Sequence, residues 1–404
     1  MVNKDTILMD ENKYVKLINR EEKFDIIRLS YAKRISCIEV ICCLEKCNLD
    51  AHKTIEMIRE KYKDKVVFPA DSEIEEEETK NDRLGIQTIT FRDPDYPTCL
   101  RHINCFPLIL HCRGNLKLLS NKNIIAIIGS RRSPINDVEF TKKIAKELGE
   151  RKYIIVSGMA LGIDASAHFG SLKTGTIAVL GSGIDYIYPK ENTQLYNDII
   201  NNNGIIISEF GLGTEPFPNN FLQRNRIIAG MSKGVVVVNA SYKSGALNTA
   251  NTATAFGKEV MVFPGNPYDE SKIGSNDLIQ KGATLVTSTR DIIENVELYI
   301  GDEDIFSENN KARCGTKTYK NNILNNDTKK EKAEKNITLD EIMLSKLNHA
   351  PLDIDIFINN CKTDGRLRAI SSTLTAQVAR LELQDKIVIY DKKISLRISK
   401  DYCL

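Results

Sequence analysis

Short, almost wholly apolar runs recur through the middle of the chain, at 124–128, 153–157, 176–180, 204–208, 234–238, 259–263 and 283–287. Stretches with helical spacing of apolar positions lie between most of them, at 137–150, 164–173, 193–201, 221–231 and 246–257. Apolar strands of about five residues alternating with helices predict βαβ units, because a parallel sheet is covered on both faces and its strands need no polar side. The pattern therefore predicts an α/β fold: a doubly wound, Rossmann-like parallel sheet at 119–297.

Glycine divides the chain in the same way. Residues 1–84 hold none of the 23 glycines, and 121–297 hold 18 of them. Helices tolerate glycine poorly, whereas strand-to-helix turns that approach a ligand need it. The first 84 residues are therefore expected to form a helical N-terminal domain, including a helix-like stretch at 35–49, with 85–118 as a connecting segment. Residues 301–336 have 15 charged and only eight hydrophobic residues, too few to offset ordering entropy, and read as a flexible linker. Beyond it, helix-like stretches at 339–347, 352–360 and 371–383 precede an alternating run at 386–398. Three helices and a hairpin predict a small winged-helix-like domain at 337–404.

Composition narrows the function. Of 404 residues, 42% are hydrophobic and 27% charged, which excludes a wholly disordered or fibrous chain. No apolar run approaches the roughly 18 residues a membrane helix needs, and the polar stretch 1–12 has no secretory core. Lys+Arg 56 against Asp+Glu 54 leaves a formal charge of +2, so nucleic-acid binding would need a local patch. The ten cysteines cluster unevenly, four of them between Cys37 and Cys47. They do not read as a disulfide framework, and a reducing cytoplasm is expected. Without a C-x-x-C pair or matching histidines, no metal site is expected, and no cofactor.

In an open parallel sheet, ligands bind beyond the carboxyl ends of the strands, so the turn after each strand is the informative part. The first strand is followed by Gly129, Ser130, Arg131, Arg132, Ser133 and Pro134, a phosphate-site composition at a helix start. An ordinary βα turn with surface arginines fits the same residues. The second ends in Ser157, Gly158 and Gly162, then Asp164 as a helix cap with His168 one turn on. A structural Asp–His pair is the plainer reading of those two. The third begins like a dinucleotide fingerprint at Gly181-Ser182-Gly183, but Tyr186 stands at its last position, so only Lys190 and Asn192 remain as contacts. Phe221, Arg224, Asn225 and Arg226 open an apolar helix with Phe217 nearby, the composition of a single-strand stacking platform or of a hydrophobic staple beside solvated arginines. The fifth strand ends near Lys243, Ser244, Gly245, Asn248 and Thr249, another amide-rich helix start. There is no Walker sequence, the G-x-S-x-G string at 230–234 has strand and helix in the wrong order, and no carboxylate pair suits acid–base work. No catalytic residue is assigned.

These loops, in this order, resemble the DNA processing protein A (DprA, or Smf) family. The likeness runs through AIIGSRR, VSGMALGIDASAH, the stretch 176–192, FPNNFLQRNRIIAG and GVVVVNASYKSGALNTA, over about 85–297. It implies a non-catalytic protein that binds single-stranded DNA, forms homodimers and helps load the recombinase RecA in natural transformation. It further implies that Arg131, Lys190, Arg224 and Arg226 line the DNA pocket, shaped by Gly129, Ser130, Ser157, Gly158, Ser244 and Gly245. The chain departs from the family pattern at Leu222, Asn239, Lys243 and Asn248, where Pro, Glu, Arg and an apolar residue are usual. Two other readings stay open: a nucleotide phosphoribohydrolase of the lysine decarboxylase-like fold, against which Asn239 stands where a catalytic Glu would be sought, and a nucleotide-sensing transcription regulator. In the winged-helix segment, Glu382 and Asp385 beside Arg380 and Lys386 favour a protein contact over duplex DNA. The DNA reading fails if Arg131, Lys190 and Arg224 lie on unrelated sides of the molecule with no shared cleft.

Overall fold

The computed structural model describes residues 14–304, apart from Leu17, and three short strands at 352–353, 387–390 and 393–396. Contacts divide the chain into two units, Met1–Ala312 and Arg313–Leu404.

The first unit is built on a nine-stranded sheet in the order β1-β2-β6-β5-β4-β3-β7-β8-β9. Its strands are β1 (Gln87–Thr90), β2 (Ile109–Gly114), β3 (Ile124–Ile128), β4 (Ile154–Ser157), β5 (Thr176–Val179), β6 (Ile205–Ser208), β7 (Gly234–Val237), β8 (Glu259–Val262) and β9 (Thr284–Leu285). The seven strands β3 to β9 are mutually parallel, as the apolar runs predict. β1 and β2 are antiparallel additions at one edge, in a segment the sequence marked only as a connection.

Alternation along β3 shows why all five of its residues are apolar. Ile124, Ala126 and Ile128 belong to one hydrophobic cluster, and Ile125 and Ile127 to another on the opposite face. Helices α5 (Ile135–Glu150) and α6 (Ile163–Ser171) supply the second cluster through Ile144, Leu148, Ile163 and Ala167. Helices α8 (Pro218–Met231) and α9 (Gly245–Ala255) supply the first through Ile227, Ile228, Ala246 and Ala250. Helices α7 (Thr193–Asn201), α10 (Ile273–Gln280) and α11 (Thr289–Asp304) complete the layers. Among the described residues, no helix is long and apolar enough to cross a membrane.

The N-terminal segment is helical, with α1 (Arg20–Ser30), α2 (Cys37–Lys46), α3 (Ala51–Tyr62) and α4 (Asp71–Leu84). Local capping explains their starts: Asn19 and Asp50 accept from backbone N–H groups of α1 and α3, and Ser36 with Glu39 forms a capping box on α2. These helices have no core of their own. Phe24, Ile26, Leu44 and Ile58 join the cluster that continues through β2 to β3 and α8. The expectation of thiols throughout needs correction as well. Cys37 is disulfide-bonded to Cys105, tying α2 to the segment before β2, while Cys42, Cys43, Cys47, Cys99 and Cys112 are free. Sixty-eight residues separate the pair, so sequence proximity gave no hint of it.

In the second unit, Ile387–Tyr390 and Lys393–Leu396 form an antiparallel hairpin, β11 and β12, and β10 (Leu352–Asp353) pairs with β12. The hairpin falls where alternation predicts it. Residues 352–353 are strand rather than the start of a helix. The remaining winged-helix expectations, and the linker from 305 onward, lie outside the described residues; 301–304 belong to α11.

Candidate nucleic-acid interface

The strand order reverses between β3 and β7, and a groove opens there, beyond their carboxyl ends. Its volume is about 970 Å³. One wall is the β3 turn, Gly129 to Arg132; a second is the start of α9, with Ser244, Gly245 and Thr249; a third is the entry to α8, with Pro216, Pro218 and Phe221. The starts of α8 and α9 thus border one space with the β3 turn, and the positive ends of the two helix dipoles favour an anion there.

The β3 turn is held from below. Asn239, fully buried after β7, accepts from the Ser130 N–H through Oδ1 at 2.8 Å. Its Nδ2 donates to Asp137 Oδ2 at 2.7 Å and Ser133 Oγ at 3.1 Å. Lys272 closes the network with a 2.8 Å ion pair to Asp137. From the side, Gly162 lies against the turn at φ +77°, where an added Cβ would sit 2.3 Å from the Ser130 carbonyl; only glycine fits that approach. With its backbone fixed, the turn presents Arg131 and Arg132 as exposed side chains. Among the described residues, neither has an acid within ion-pair distance. The Arg131 guanidinium lies 5.3 Å from the centre of the Phe221 ring, which also meets Tyr188 at 5.6 Å. A small adjoining cavity is lined by Arg131, Gly158, Tyr188, Pro189 and Phe221.

Arg224 shares this groove but not this freedom. It is 5% exposed, and its Nη1 donates to the carbonyls of Gly158, at 2.6 Å, and Val179. Burial pushes its guanidinium down to about 10, with the Arg131 charge adding and the Asp164 charge opposing. It is a brace beneath the groove floor. Burial also raises Asp164, against the Arg224 charge and the N–H groups of Ala160 and Gly158. Gly162, not Asp164, occupies the cap position of α6. His168 turns into the core, where Nδ1 lies 2.7 Å from Thr176 Oγ1, and burial pushes it down to about 3. The expected Asp164–His168 pair is replaced by these separate partners.

Of the residues expected at the site, Gly129, Ser130, Arg131, Arg132, Phe221, Arg224, Asn225, Ser244, Gly245 and Thr249 line the groove, and Gly158 lines the adjoining cavity. The others stand elsewhere. Arg226 is two residues from Arg224, about 200° around the helix, and pairs with Glu209 away from the groove. Ser157 is buried and donates to the Ile127 carbonyl, and buried Asn192 donates to Met159 O. Lys190 is exposed in the turn Lys190–Asn192, next to Pro189 of the adjoining cavity, and does not line the groove. Lys243 and Asn248 are exposed beside lining residues. Tyr188, Pro216, Pro218, Ser241, Glu270 and Ser271 line the groove without having been singled out. For Tyr188 a signal existed, an aromatic directly before Pro189 in a ligand-facing loop; Glu270 and Ser271 reach the groove only through tertiary folding. Among the described residues, no group of three or more His, Cys, Asp or Glu could hold a metal ion.

The sequence profile of the family described as DNA recombination-mediator protein A matches residues 87–297. The DNA processing protein DprA of Streptococcus pneumoniae is 41% identical over 207 residues, 51% of this chain and 72% of that protein. The Bacillus subtilis protein of the same name is 38% identical over 214 residues, 52% of this chain and 72% of that one. The X-ray structure of the S. pneumoniae protein superposes with a TM-score of 0.57 at 29% identity, covering 69% of this chain and 98% of that one.

Proposed function

We propose a function from one premise: this chain belongs to the DNA recombination-mediator protein A family. It is a non-enzymatic, DNA-processing protein that binds single-stranded DNA in the groove between the β3 turn and the starts of α8 and α9. Arg131, Arg132 and the converging helix amides hold backbone phosphates, while Phe221 and Tyr188 offer ring faces to unpaired bases. Exposed Lys190 and Lys243 extend the cationic track past its two ends. Phosphates carry no base information, so sequence preference is weak. The observation that carries this reading is an unpaired Arg131 stacked on a groove-lining aromatic at the sheet's switch point.

By the family likeness, the bound strand serves natural transformation and recombination in the cytoplasm. The protein acts there as a homodimer whose two grooves raise avidity on one strand, and it helps load RecA. The test is a fluorescence-anisotropy titration of single-stranded against duplex oligonucleotides at several salt concentrations. Arg131→Ala should weaken single-strand binding and reduce the salt slope by about 1, with unfolding unchanged. Equal affinity for duplex, or an Arg131→Ala titration matching the parent at every salt, overturns the reading. RecA filament formation on coated single strands, with and without the protein, tests the loading step.

A further inference from the structure

The wall of the groove formed by Pro216, Pro218 and Phe221 follows the loop 210–217, which leaves β6 and enters α8. That loop is fastened to helices that contribute nothing to the groove lining. The Leu212 N–H donates to Glu77 Oε1 at 2.8 Å, across 135 residues of sequence. The same oxygen accepts from Tyr31 Oη at 3.0 Å. Tyr31 Oη lies 2.7 Å from His111 Nε2, His111 Nδ1 lies 3.1 Å from Thr88 Oγ1, and Thr88 accepts from Asn81 Nδ2 at 3.2 Å. Gly211 completes the fit, since a Cβ there would be 2.9 Å from both Glu77 Oε1 and Tyr31 Oη.

The donors in this chain have one consistent order. Burial pushes His111 down to about 4, so its ring is neutral near pH 7, and burial with the Glu77 charge pushes Tyr31 far up, so its hydroxyl keeps its proton. Asn81 then donates to Thr88, Thr88 to His111 Nδ1, His111 Nε2–H to Tyr31, and Tyr31 to Glu77, where the Leu212 N–H also ends. Each link sets the orientation of the next, and partly buried chains of this kind act as units. On the far side, Asp185 accepts from the Gly213 N–H at 2.9 Å, and the Gly183 N–H donates to the Thr214 carbonyl at 2.8 Å. The loop is thus pinned at three successive residues, immediately before the groove wall.

We propose that Tyr31, which caps the end of α1, and Glu77, on α4, are positioning residues for DNA binding: they fix the 210–217 loop and through it the placement of Phe221. This rests on the reading of the groove as a single-strand site. It gives the N-terminal helices a task that no direct DNA contact would reveal.

The test uses the full chain and a fluorescein-labelled thymidine oligonucleotide. Tyr31→Phe keeps the ring beside His111 and removes only the hydroxyl. Amide exchange of the 210–217 loop should quicken by about tenfold while exchange in β3 to β5 stays unchanged. Affinity should fall about fivefold with the salt slope preserved, because no phosphate contact is removed. Combined with Phe221→Ala, Tyr31→Phe should add no further loss, since both act through one side chain; a general packing defect would instead multiply. Glu77→Ala, which removes the oxygen that accepts from both Tyr31 and Leu212, serves as the second variant if Tyr31→Phe folds poorly, with the same expectations. Parental loop exchange, parental affinity or multiplicative losses overturn the inference. If Arg131→Ala and Phe221→Ala both bind like the parent, the DNA reading itself fails, and loop exchange still decides whether the clamp exists.

Discussion

Replacing Asn239 isolates what one buried amide does for the groove. Its three partners are the Ser130 N–H at 2.8 Å, Ser133 Oγ at 3.1 Å and Asp137 Oδ2 at 2.7 Å. Alanine removes all three and leaves a backbone N–H and a carboxylate short of partners. Each such loss costs about 1–3 kcal/mol. Lys272 still neutralises Asp137, so Asn239→Ala should destabilise by about 2–4 kcal/mol overall. Aspartate is the sharper probe. It keeps an acceptor for Ser130 but sets a second carboxylate against Asp137, and with Lys272 as the one cation of the network the second ionisation is disfavoured. The pair therefore holds a proton in the folded state at pH values where the unfolded chain has released it. A carboxyl raised in this way loses stability as pH rises from about 4 through its folded value. The deficit of Asn239→Asp relative to the parent should thus be small near pH 5 and large at pH 8, whereas that of Asn239→Ala should be flat. Urea unfolding at both pH values measures this, with an unchanged m-value as the control. In single-strand titrations at pH 8, a displaced 129–132 turn should weaken binding by about tenfold, or 1.4 kcal/mol. An alanine variant within about 0.5 kcal/mol of the parent, or an aspartate deficit that ignores pH, refutes the view that this amide organises the turn.

Arg224→Ala should behave opposite to Arg131→Ala: it strands the carbonyls of Gly158 and Val179 and should cost about 2–4 kcal/mol in thermal or urea unfolding, while the salt slope of whatever DNA binding survives stays parental. The buried histidines predict acid sensitivity. His111 and His168 have folded values of about 4 and 3, below the unfolded value, so the stability they contribute is present above pH 6.5 and lost below it. With a slope that rises to about 1.4 kcal/mol per pH unit for each, urea unfolding between pH 6.5 and 5 should register a loss of about 3 kcal/mol, reduced by Glu77 and Asp164, whose raised carboxyls act with the opposite sign. Peptide mapping without reductant should recover Cys37 joined to Cys105, and reduction should lower stability by about 4 kcal/mol for a loop of this length; free, alkylatable Cys37 counts against the link.

The parallel strands were legible because a strand buried on both faces must be apolar at every position, and Ile124 to Ile128 meet that demand without any knowledge of partners. The β3 turn was legible for a related reason: two adjacent arginines after such a strand have no packing use. Arg224 and Arg226 part company in the structure, where only Arg224 lines the groove. Sequence shows two cations at the head of one helix, but helical geometry turns one toward Glu209 and buries the other among carbonyls. The short strands β1 and β2, with Cys105 between them, gain their pairing partners from each other and from β6 far along the chain, so no local period announces them. The Glu77–Leu212 link is invisible for the same reason.

The family profile matches from residue 87, yet Phe24, Ile26, Leu44 and Ile58 lie in the same apolar mass as Ile109, Ile128 and Ile227. A fragment started where the likeness starts would be cut through its own interior. It would lay bare apolar side chains that the N-terminal helices cover and invite copies to associate through them. The span that the profile matches is therefore shorter than the unit that shares one interior.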